Sequence, residues 1–548
     1  MKKILKYSFL TAAALCMASC GENYLELSPE EYTTKTQLFD SPETAQYAVN
    51  GLGRLMSKQY LSNQGYNGEG TVYFYNCEYE GDGVQKLDYT GWANLINSNY
   101  NQNNTNNNLH VTWYYYYRVI GNVNQILANI PDDVTGTLKN EWDYIKAQAL
   151  TFRAYSFTML SQIYCRRWTD RNGQSRGLVM RLDTSKDPME CSSLAQTYEQ
   201  IYKDLDEAIA LFKSCGKERN NDINLRWIPG EDVAHAVYSR AALIRNDWQT
   251  VITHSQEAGK GYSIMGTEEY MAGFNTANKE WIWEVFEDDT QPIYYYSFYN
   301  YMSASCAGSA SRSYPPCISK QIVDQIDPSD TRLAMYAIPT MEELISDGAI
   351  EVDADGNITK YPTRNKVTKG AFFTRVRNDF TNKGRTYSNT SVGYYLGTKF
   401  IVKSGVGDGC IPIFRLAEML YNEAEAQYRL GNEAAAQACL EKATQPYQEG
   451  YTCTKTGQDL WDEIVALRKF DLWSEGHSWF DLKRWGVSME RKTWEEGGSW
   501  IKEFAAKAGN YGPEGRNNWT YVIPQMETNY NSLVISQEDP NWAPGTDF

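Results

Sequence analysis

Apolar positions recur at helical spacing along the first half of the chain. Residues 113–131 carry aromatic, aliphatic and amide side chains at steps of three or four, namely Trp113, Tyr117, Ile120, Asn124 and Leu127. Pro131 ends this pattern. Side chains at such steps share one face of an α-helix, so the segment predicts an amphipathic helix whose aromatic rings face a core.

The same periodicity predicts a series of helical hairpins. It covers residues 141–164, 192–212, 231–247, 247–261, 411–432 and 433–443. Ser193 and Gln196 have the spacing of a capping box, and Gly431-Asn432 is a favourable helix stop. Small residues, Ala424, Ala426, Ala434 and Ala435, are expected to let paired helices approach closely. Since a hairpin with one apolar face cannot bury it alone, we predict a mainly α, tetratricopeptide-like stack of helices.

The sequence pattern changes over residues 262–410. WIWEVF (281–286) predicts a strand, and it is followed by a tyrosine-rich run and by loops rich in glycine, serine and asparagine. Irregular sequence of this length within a globular chain is usually functional. We therefore predict a loop-rich ligand-binding region with short strands inside the helical scaffold.

The N-terminus resembles an export signal. MKKILK is positively charged, a short apolar stretch follows, and Cys20 comes directly after Ala18 and Ser19. This pattern predicts a lipoprotein signal peptide over residues 1–19, with Cys20 as the acylated first residue of the mature chain. In the alternative, an ordinary peptidase cuts nearby and Cys20 has no role.

Charge and cysteine content narrow the function classes. The net charge of −16 disfavours a nucleic-acid partner, because an acidic surface repels phosphates. Nine cysteines follow Cys20 without a CxxC motif, which predicts mostly free, buried thiols. The four histidines are dispersed, so no metal or cofactor is predicted. Asp353, Asp355 and Asn357 predict an acidic turn, with a calcium site as the alternative.

Two aromatic clusters are the candidate ligand-binding residues. The first is Asp82, Tyr89, Trp92 and Tyr100, among many asparagines, and the second is Tyr294, Tyr295, Tyr296, Tyr299 and Tyr301. The second cluster lacks helical or alternating periodicity, so an extended backbone would direct tyrosines to both faces. Aromatic faces cover the C–H patches of pyranose rings while phenol and amide groups meet sugar hydroxyls. Packing or contact with a partner protein is the alternative.

Six segments in order along the chain resemble the SusD/RagB family of Bacteroidetes outer-membrane lipoproteins. They are YLELSPEEYTT, the 113–124 pattern, AQALTFRAYSF, YEQIYKDLDEAI, IFRLAEMLYNEAEA and RKFDLWSEGHSWFDLKRWG. Ser478 departs from the family pattern, in which arginine is common. Asp481 and Arg484 are expected to pair at i, i+3, and the i, i+4 carboxylates Asp471 and Glu475 to lie on a solvated helix face.

The resemblance implies a helical scaffold with an N-terminal region over 20–261, the loop-rich region over 262–410 and a C-terminal region over 411–548. It also implies a non-catalytic, outward-facing outer-membrane lipoprotein. Such a protein binds oligosaccharides and passes them to a SusC-like TonB-dependent transporter. Three alternatives stay open: binding of peptides or glycoprotein fragments, a glycoside hydrolase, and a scaffold without a small ligand.

Overall fold

The computed structural model describes residues 35–58, 68–73, 81–85, 104–219, 222–287, 297–306, 316–383, 385, 387, 390–403, 407–508 and 520–535. The chain forms two compact units, Met1–Ala48 and Val49–Phe548. Every tertiary contact discussed below lies within the second unit.

The described helices divide into two groups along the chain. Those before residue 262 are α1 (Lys35–Leu38), α2 (Pro42–Ser57), α3 (Gly68–Thr71), α4 (Asn107–Leu127), α5 (Gly136–Tyr164), α6 (Trp168–Arg171), α7 (Leu194–Cys215), α8 (Glu231–Arg245) and α9 (Trp248–Ala258). The later ones are α10 (Thr267–Tyr270), α11 (Phe298–Met302), α12 (Lys320–Val323), α13 (Met341–Ser346), α14 (Ala371–Asn382), α15 (Leu416–Arg429), α16 (Glu433–Thr444), α17 (Gly457–Asp471), α18 (Ser478–Trp485), α19 (Lys502–Ala508) and α20 (Gln525–Tyr530).

The long helices form the predicted stacked array. Helix α5 packs against α4 and α7, α7 packs against α8, and α8 packs against α9. Helix α9 in turn contacts α15, which forms a hairpin with α16. The C-terminal hairpin therefore extends an array that begins about 300 residues earlier in the sequence, as expected when each pair needs a neighbour to bury its apolar face.

Helix α5 is the centre of the array. Every residue from Ala147 to Tyr164 is buried, so this part of the helix is covered on all sides. Its buried hydroxyls are satisfied within the helix, since Thr151, Ser156 and Thr158 each donate to the carbonyl four residues earlier at 2.8 Å. Burial of these three hydroxyl groups in the middle of α5 therefore leaves none of them without a hydrogen-bond partner.

The polar member of the predicted α4 stripe has a structural role. Asn124 is buried, and its side-chain oxygen accepts from Arg153 Nη1 at 3.0 Å. Arg153 also donates from Nε and Nη2 to the two carboxylate oxygens of Asp204 at 2.7 Å. This chain of bonds joins α4, α5 and α7, and the predicted core-facing helix is confirmed.

The predicted helix ends at 193 and 431 are also confirmed. Ser193 and Gln196 form both bonds of a capping box at the start of α7. Gly431 has φ of +80°, the left-handed conformation that favours glycine, between α15 and α16. Ala424 and Ala426 are buried as expected, whereas Ala434 is exposed and Ala435 is half-buried, so these two do not form the predicted close approach.

The prediction of one helix over 411–432 is wrong in its first turn. Ile411–Arg415 forms strand β12, which pairs antiparallel with strand β4 (Trp281–Val285), the strand predicted at WIWEVF. Ile411 lies opposite Val285, and all residues of both strands are buried. Periodicity cannot separate a buried strand from a buried helical turn, and the pairing with β4 decides between them.

Short strands organise the middle of the chain. A four-stranded sheet has the order β1 (Val84–Gln85), β5 (Cys317–Ile318), β11 (Leu396–Gly397) and β6 (Tyr336–Ala337). The described two-stranded pairs are β2 (Arg176–Val179) with β3 (Cys191–Ser193), β4 with β12, β7 (Glu351–Val352) with β8 (Ile358–Lys360), and β9 (Lys366–Val367) with β10 (Val392–Gly393). The predicted loop-rich region with short strands is confirmed.

Two further findings concern the described residues. The eight cysteines among them form no disulfide, and all except half-buried Cys191 are buried, as predicted for mostly reduced thiols. None of the helices in this part of the chain has both the length and the apolar character needed to cross a bilayer.

Candidate functional site

The first aromatic cluster starts from the four-stranded sheet. Strands β1 and β5 pair antiparallel, with Val84 opposite Ile318 and Gln85 opposite Cys317. Tyr89, Trp92 and Tyr100 follow β1 but lie outside the described residues. Their ligand contact therefore stays a prediction, and the structure defines the strand from which their segment begins.

The second cluster starts close to the same sheet. The backbone N–H of Val402 donates to Ser303 Oγ and Ser305 Oγ at 3.2 Å, directly after α11. Five residues earlier, Gly397 of β11 donates to the carbonyl of Pro316 at 3.0 Å. Because five residues of extended chain span at most about 18 Å, Val402 beside the end of α11 lies no farther than this from Gly397 of the sheet. Tyr294, Tyr295 and Tyr296 themselves lie outside the described residues.

Asp82, the first residue of the first cluster, lies two residues before β1. Its two carboxylate oxygens are 3.2 and 3.3 Å from Lys469 Nζ, and the side chain is 12% exposed. The flanking carbonyls of Gly81 and Gly83 accept from Arg491 Nη2 and Trp473 Nε1 at 2.9 Å. Asp82 is therefore held at the start of β1 through Lys469, and direct ligand contact stays a prediction.

Tyr299 and Tyr301 are core residues, contrary to the prediction of outward-facing rings. Residues 298–302 form helix α11 instead of an extended strand, and the two tyrosines are 0% and 2% exposed. The hydroxyl of Tyr299 donates to the carbonyl oxygens of Phe274 and Cys410. With both rings covered by protein, neither can present a face to a ligand in this structure. The Ser297 cap accepts from Asn300 N and begins this helix.

A buried cluster of charges underlies this part of the scaffold. Arg415, at the end of β12, donates to Glu475 Oε2, Glu280 Oε1 and Asp471 Oδ1, each at 2.7 Å. Lys399 Nζ donates to the carbonyl of Asp471 at 2.6 Å and to the Glu475 carboxylate. The prediction that Asp471 and Glu475 lie on a solvated helix face is wrong, because they are 0% and 4% exposed.

The cations of this cluster determine the charge of Asp471. Arg332 Nη1 lies 3.1 Å from Asp471 Oδ2, on the side opposite the bond from Arg415 to Oδ1. Burial by itself raises the pKa of Asp471, but Arg415, Arg332 and Lys399 outweigh burial and hold this pKa below its ordinary value. Asp471 is therefore an ionised structural residue. The sequence signal for a buried charge cluster was the presence of two charged residues, Glu280 and Arg415, beside the apolar strands β4 and β12.

The C-terminal signature motif forms a second buried network. Arg484 Nε donates to Asp481 Oδ1 at 2.8 Å, which confirms the predicted i, i+3 pair on α18. Asp481 Oδ2 also accepts from Arg468 Nε at 2.7 Å, and Arg484 Nη1 donates to Glu425 Oε1 at 2.6 Å. Helices α15, α17 and α18 are thereby joined, and Ser478 lies against Gly81, where an added Cβ would come 2.0 Å from Ser478 Oγ.

Two buried carboxyl groups near the second cluster were not found by sequence reasoning. Glu284 lies in β4 and Glu287 follows it, just before the segment of Tyr294. Neither oxygen of Glu287 has a hydrogen-bond partner among the described residues. Burial raises the pKa of Glu284 to about 8 and that of Glu287 well above its ordinary value. Their only sequence signal is an acidic residue within an apolar strand.

The acidic segment at 353–357 forms the predicted turn. Asp353 Oδ1 accepts from the backbone N–H groups of Asp355 and Asn357 at 3.0 and 2.8 Å, between β7 and β8. These bonds engage the carboxylate within its own turn. No group of three histidine, cysteine or acidic side chains suited to a metal ion occurs among the described residues.

Comparison with known proteins assigns the family. A family model described as the SusD family matches residues 244–542. The chain belongs to the SusD family. A second model, described as starch-binding and associating with the outer membrane, matches residues 23–223. A search of curated proteins finds no match.

Solved structures with this fold support the assignment. A SusD-like carbohydrate-binding protein from Bacteroides vulgatus has a TM-score of 0.69 and 20% identity, covering 90% of this chain and 97% of that chain. A SusD superfamily protein from Bacteroides thetaiotaomicron has a TM-score of 0.68 and 20% identity, covering 90% and 99%. A laminarin-binding SusD-like protein has a TM-score of 0.59 and 17% identity, covering 91% and 99%. At these identities the similarity establishes the shared SusD fold.

Proposed function

We propose that this SusD-family protein is a non-catalytic, cell-surface lipoprotein that binds oligosaccharides and delivers them to a SusC-like TonB-dependent transporter. The observation that carries the proposal is the family match over residues 244–542, joined by the second match over 23–223. The export signal and Cys20 supply the proposed anchor in the outer membrane, facing outward.

The scaffold supports a ligand site formed by the two aromatic segments. Residues 396–403 connect their described ends, because they run from the four-stranded sheet that contains β1 to the end of α11. The buried Arg415 cluster and the bond between Asp82 and Lys469 hold these ends on rigid elements. Aromatic residues placed on loops above a rigid scaffold are suited to bind the apolar faces of sugar rings. Trp92 and Tyr294, Tyr295 and Tyr296 are the proposed contacts.

Isothermal titration with starch and laminarin oligosaccharides tests this site. We expect Trp92→Ala, and separately the triple alanine change at Tyr294, Tyr295 and Tyr296, to reduce affinity at least about tenfold. Each stacked ring contributes on the order of 1 kcal/mol or more, and several rings act together. Tyr530→Ala is the matched control, because Tyr530 is 80% exposed on α20. Unchanged affinity in both loop variants would refute the site.

Four further measurements address the rest of the proposal. Cys20→Ala is expected to prevent acylation and release the protein from the membrane fraction. Purification from the membrane is expected to recover a TonB-dependent transporter with the wild-type chain. Release of reducing ends from the oligosaccharides would favour a glycoside hydrolase, and displacement of the sugar by peptides would favour the peptide-binding alternative.

A further inference from the structure

A polar cleft of about 600 Å³ lies at one end of the helical array. It is formed by the end of α7, residues 216–219 and Arg226 that follow it, the start of α8, the end of α9 and residues 260–262. Its volume falls within the range of small-molecule sites, about 300–1,000 Å³. None of its lining residues belongs to the two aromatic segments of the proposed function.

The charges of the cleft are nearly balanced. Five lysine and arginine side chains and four carboxylates line it. Several pair across the cleft wall: Arg219 with Asp232, Lys213 with Glu231 at 3.6 Å, and Lys260 with Glu257 at 2.6 Å. The carboxylates repel an anionic ligand and the ammonium groups repel a cationic ligand, so neither kind of ligand is favoured. A neutral ligand that both donates and accepts hydrogen bonds fits this lining.

Tyr262 provides an aromatic surface in the cleft. The Arg226 guanidinium lies 5.0 Å from the centroid of this ring, and Arg226 Nη1 donates to the Tyr262 hydroxyl at 3.0 Å. The hydroxyl itself donates to Asp232 Oδ2. Tyr262 is half-buried, so its position is determined by polar partners while part of the side chain remains accessible.

Two buried polar atoms of cleft residues have unused hydrogen-bonding capacity. Arg226 Nε and His235 Nε2 have no hydrogen-bond partner among the described residues. The other ring nitrogen of His235, Nδ1, is hydrogen-bonded to His254 Nδ1 at 2.7 Å. His235 Nε2 is 3.4 Å from Glu231 Oε1 without forming an aligned bond, and His235 is 4% exposed. Buried polar atoms are rarely left unpaired in the absence of a ligand or water.

We propose that this cleft is a second carbohydrate site, which binds one or two neutral sugar units. Sugar hydroxyls accept from the Arg226 guanidinium and donate to Glu231 and Glu257, while the Tyr262 ring contacts the C–H groups of a pyranose. The inference stands on the chemistry of the cleft and not on the loop residues. It places a weak, short-chain site on the helical scaffold, in addition to the proposed oligosaccharide site on the loops.

Saturation-transfer NMR with maltose and laminaribiose tests the second site in the full chain. The Trp92→Ala chain, in which the proposed loop site is impaired, is expected still to bind a disaccharide. Adding Arg226→Ala or the conservative Glu231→Gln is expected to weaken that binding about tenfold, as for loss of a hydrogen bond to a charged group. Lys139→Ala on α5 is the control, since Lys139 is 51% exposed and outside the cleft.

The outcomes separate the two sites. Loss of all disaccharide binding in Trp92→Ala, or equal binding after Arg226→Ala and Glu231→Gln, overturns the second site. Saturation transfer to glycylglycine in place of the sugars would identify a zwitterion site and also overturn it. Failure of the loop site would be seen in a separate measurement, in which the Trp92 and Tyr294–296 substitutions leave the oligosaccharide affinity unchanged. Circular dichroism checks that every variant is folded.

Discussion

The Arg415 cluster and the cleft beside Tyr262 contain the same types of charged residue, yet they differ in exposure. The side chains of Arg415, Asp471 and Glu475 are at most 4% exposed, whereas Lys260 in the cleft is 67% exposed. In the cluster each cation donates to several fixed acceptors. In the cleft, pairs such as Lys260 with Glu257 are open to water.

Burial, more than residue type, separates structural charges from charges available to a ligand. A buried charge needs its partners, because removing one leaves the other desolvated and unpaired. A solvent-exposed pair gains little from its contact and can exchange it for water or a ligand.

The largest effect is expected for Arg415→Met. The substitution leaves Glu280, Asp471 and Glu475 without their shared cation, and we expect the free energy of unfolding to fall by about 3–5 kcal/mol. Urea unfolding measures the change. Lys492→Met is the control, since Lys492 is 50% exposed in its pair with Glu490. Near-equal stability of the two variants would contradict a structural role for the cluster.

An intermediate effect, dependent on pH, is expected for Glu287→Gln. Burial raises the pKa of Glu287, so the folded chain retains a proton that the unfolded chain loses above about pH 4.3. Stability of the wild type therefore decreases as pH rises above this value, by up to about 1.4 kcal/mol per pH unit for this group. Arg54 opposes the shift and Asp408 adds to it, and neither reverses its direction.

The Gln variant lacks this titration and is expected to gain stability relative to the wild type between pH 5 and pH 7. Unfolding curves at several pH values measure the difference. Exposed Glu342→Gln is the control and should leave the pH dependence unchanged. A constant difference between Glu287→Gln and the wild type across this range would show that Glu287 is ionised in the folded protein.

The smallest effect is expected for Lys260→Met in the cleft. Its pair with Glu257 is solvent-exposed, so the free energy of unfolding should change by less than about 0.5 kcal/mol. Salt should alter this change only by screening the charges of that pair. A loss comparable with that of Arg415→Met would remove the distinction between the two charged regions.

Helical elements were the most predictable part of the fold. The stripe beginning at Trp113 and the capping box at Ser193 appear in the structure at the expected positions, because local spacing and capping act within a few residues. The strand at 411–415 was not recognised, because its apolar residues adjoin a helix and only pairing with β4 distinguishes them.

The candidate sites were less predictable. Tyr299 and Tyr301 belong to a tyrosine-rich run without periodicity, yet both are buried. The Tyr299 hydroxyl donates to carbonyls of Phe274 and Cys410, partners that are distant in sequence. Asp471 and Glu475 have a spacing found equally on solvated helices, and their burial results from cations at positions 332, 399 and 415. The residues that line the cleft come from several helices and share no sequence motif.

The amino-acid sequence alone determined the helical periodicity, the helix ends and the order of motifs that resemble the SusD family, because these depend on neighbouring residues. Tertiary structure decided which charges are buried, which tyrosines enter the core and where a polar cleft opens. Those properties depend on long-range partners that exclude water from a side chain, and a single segment does not contain that information.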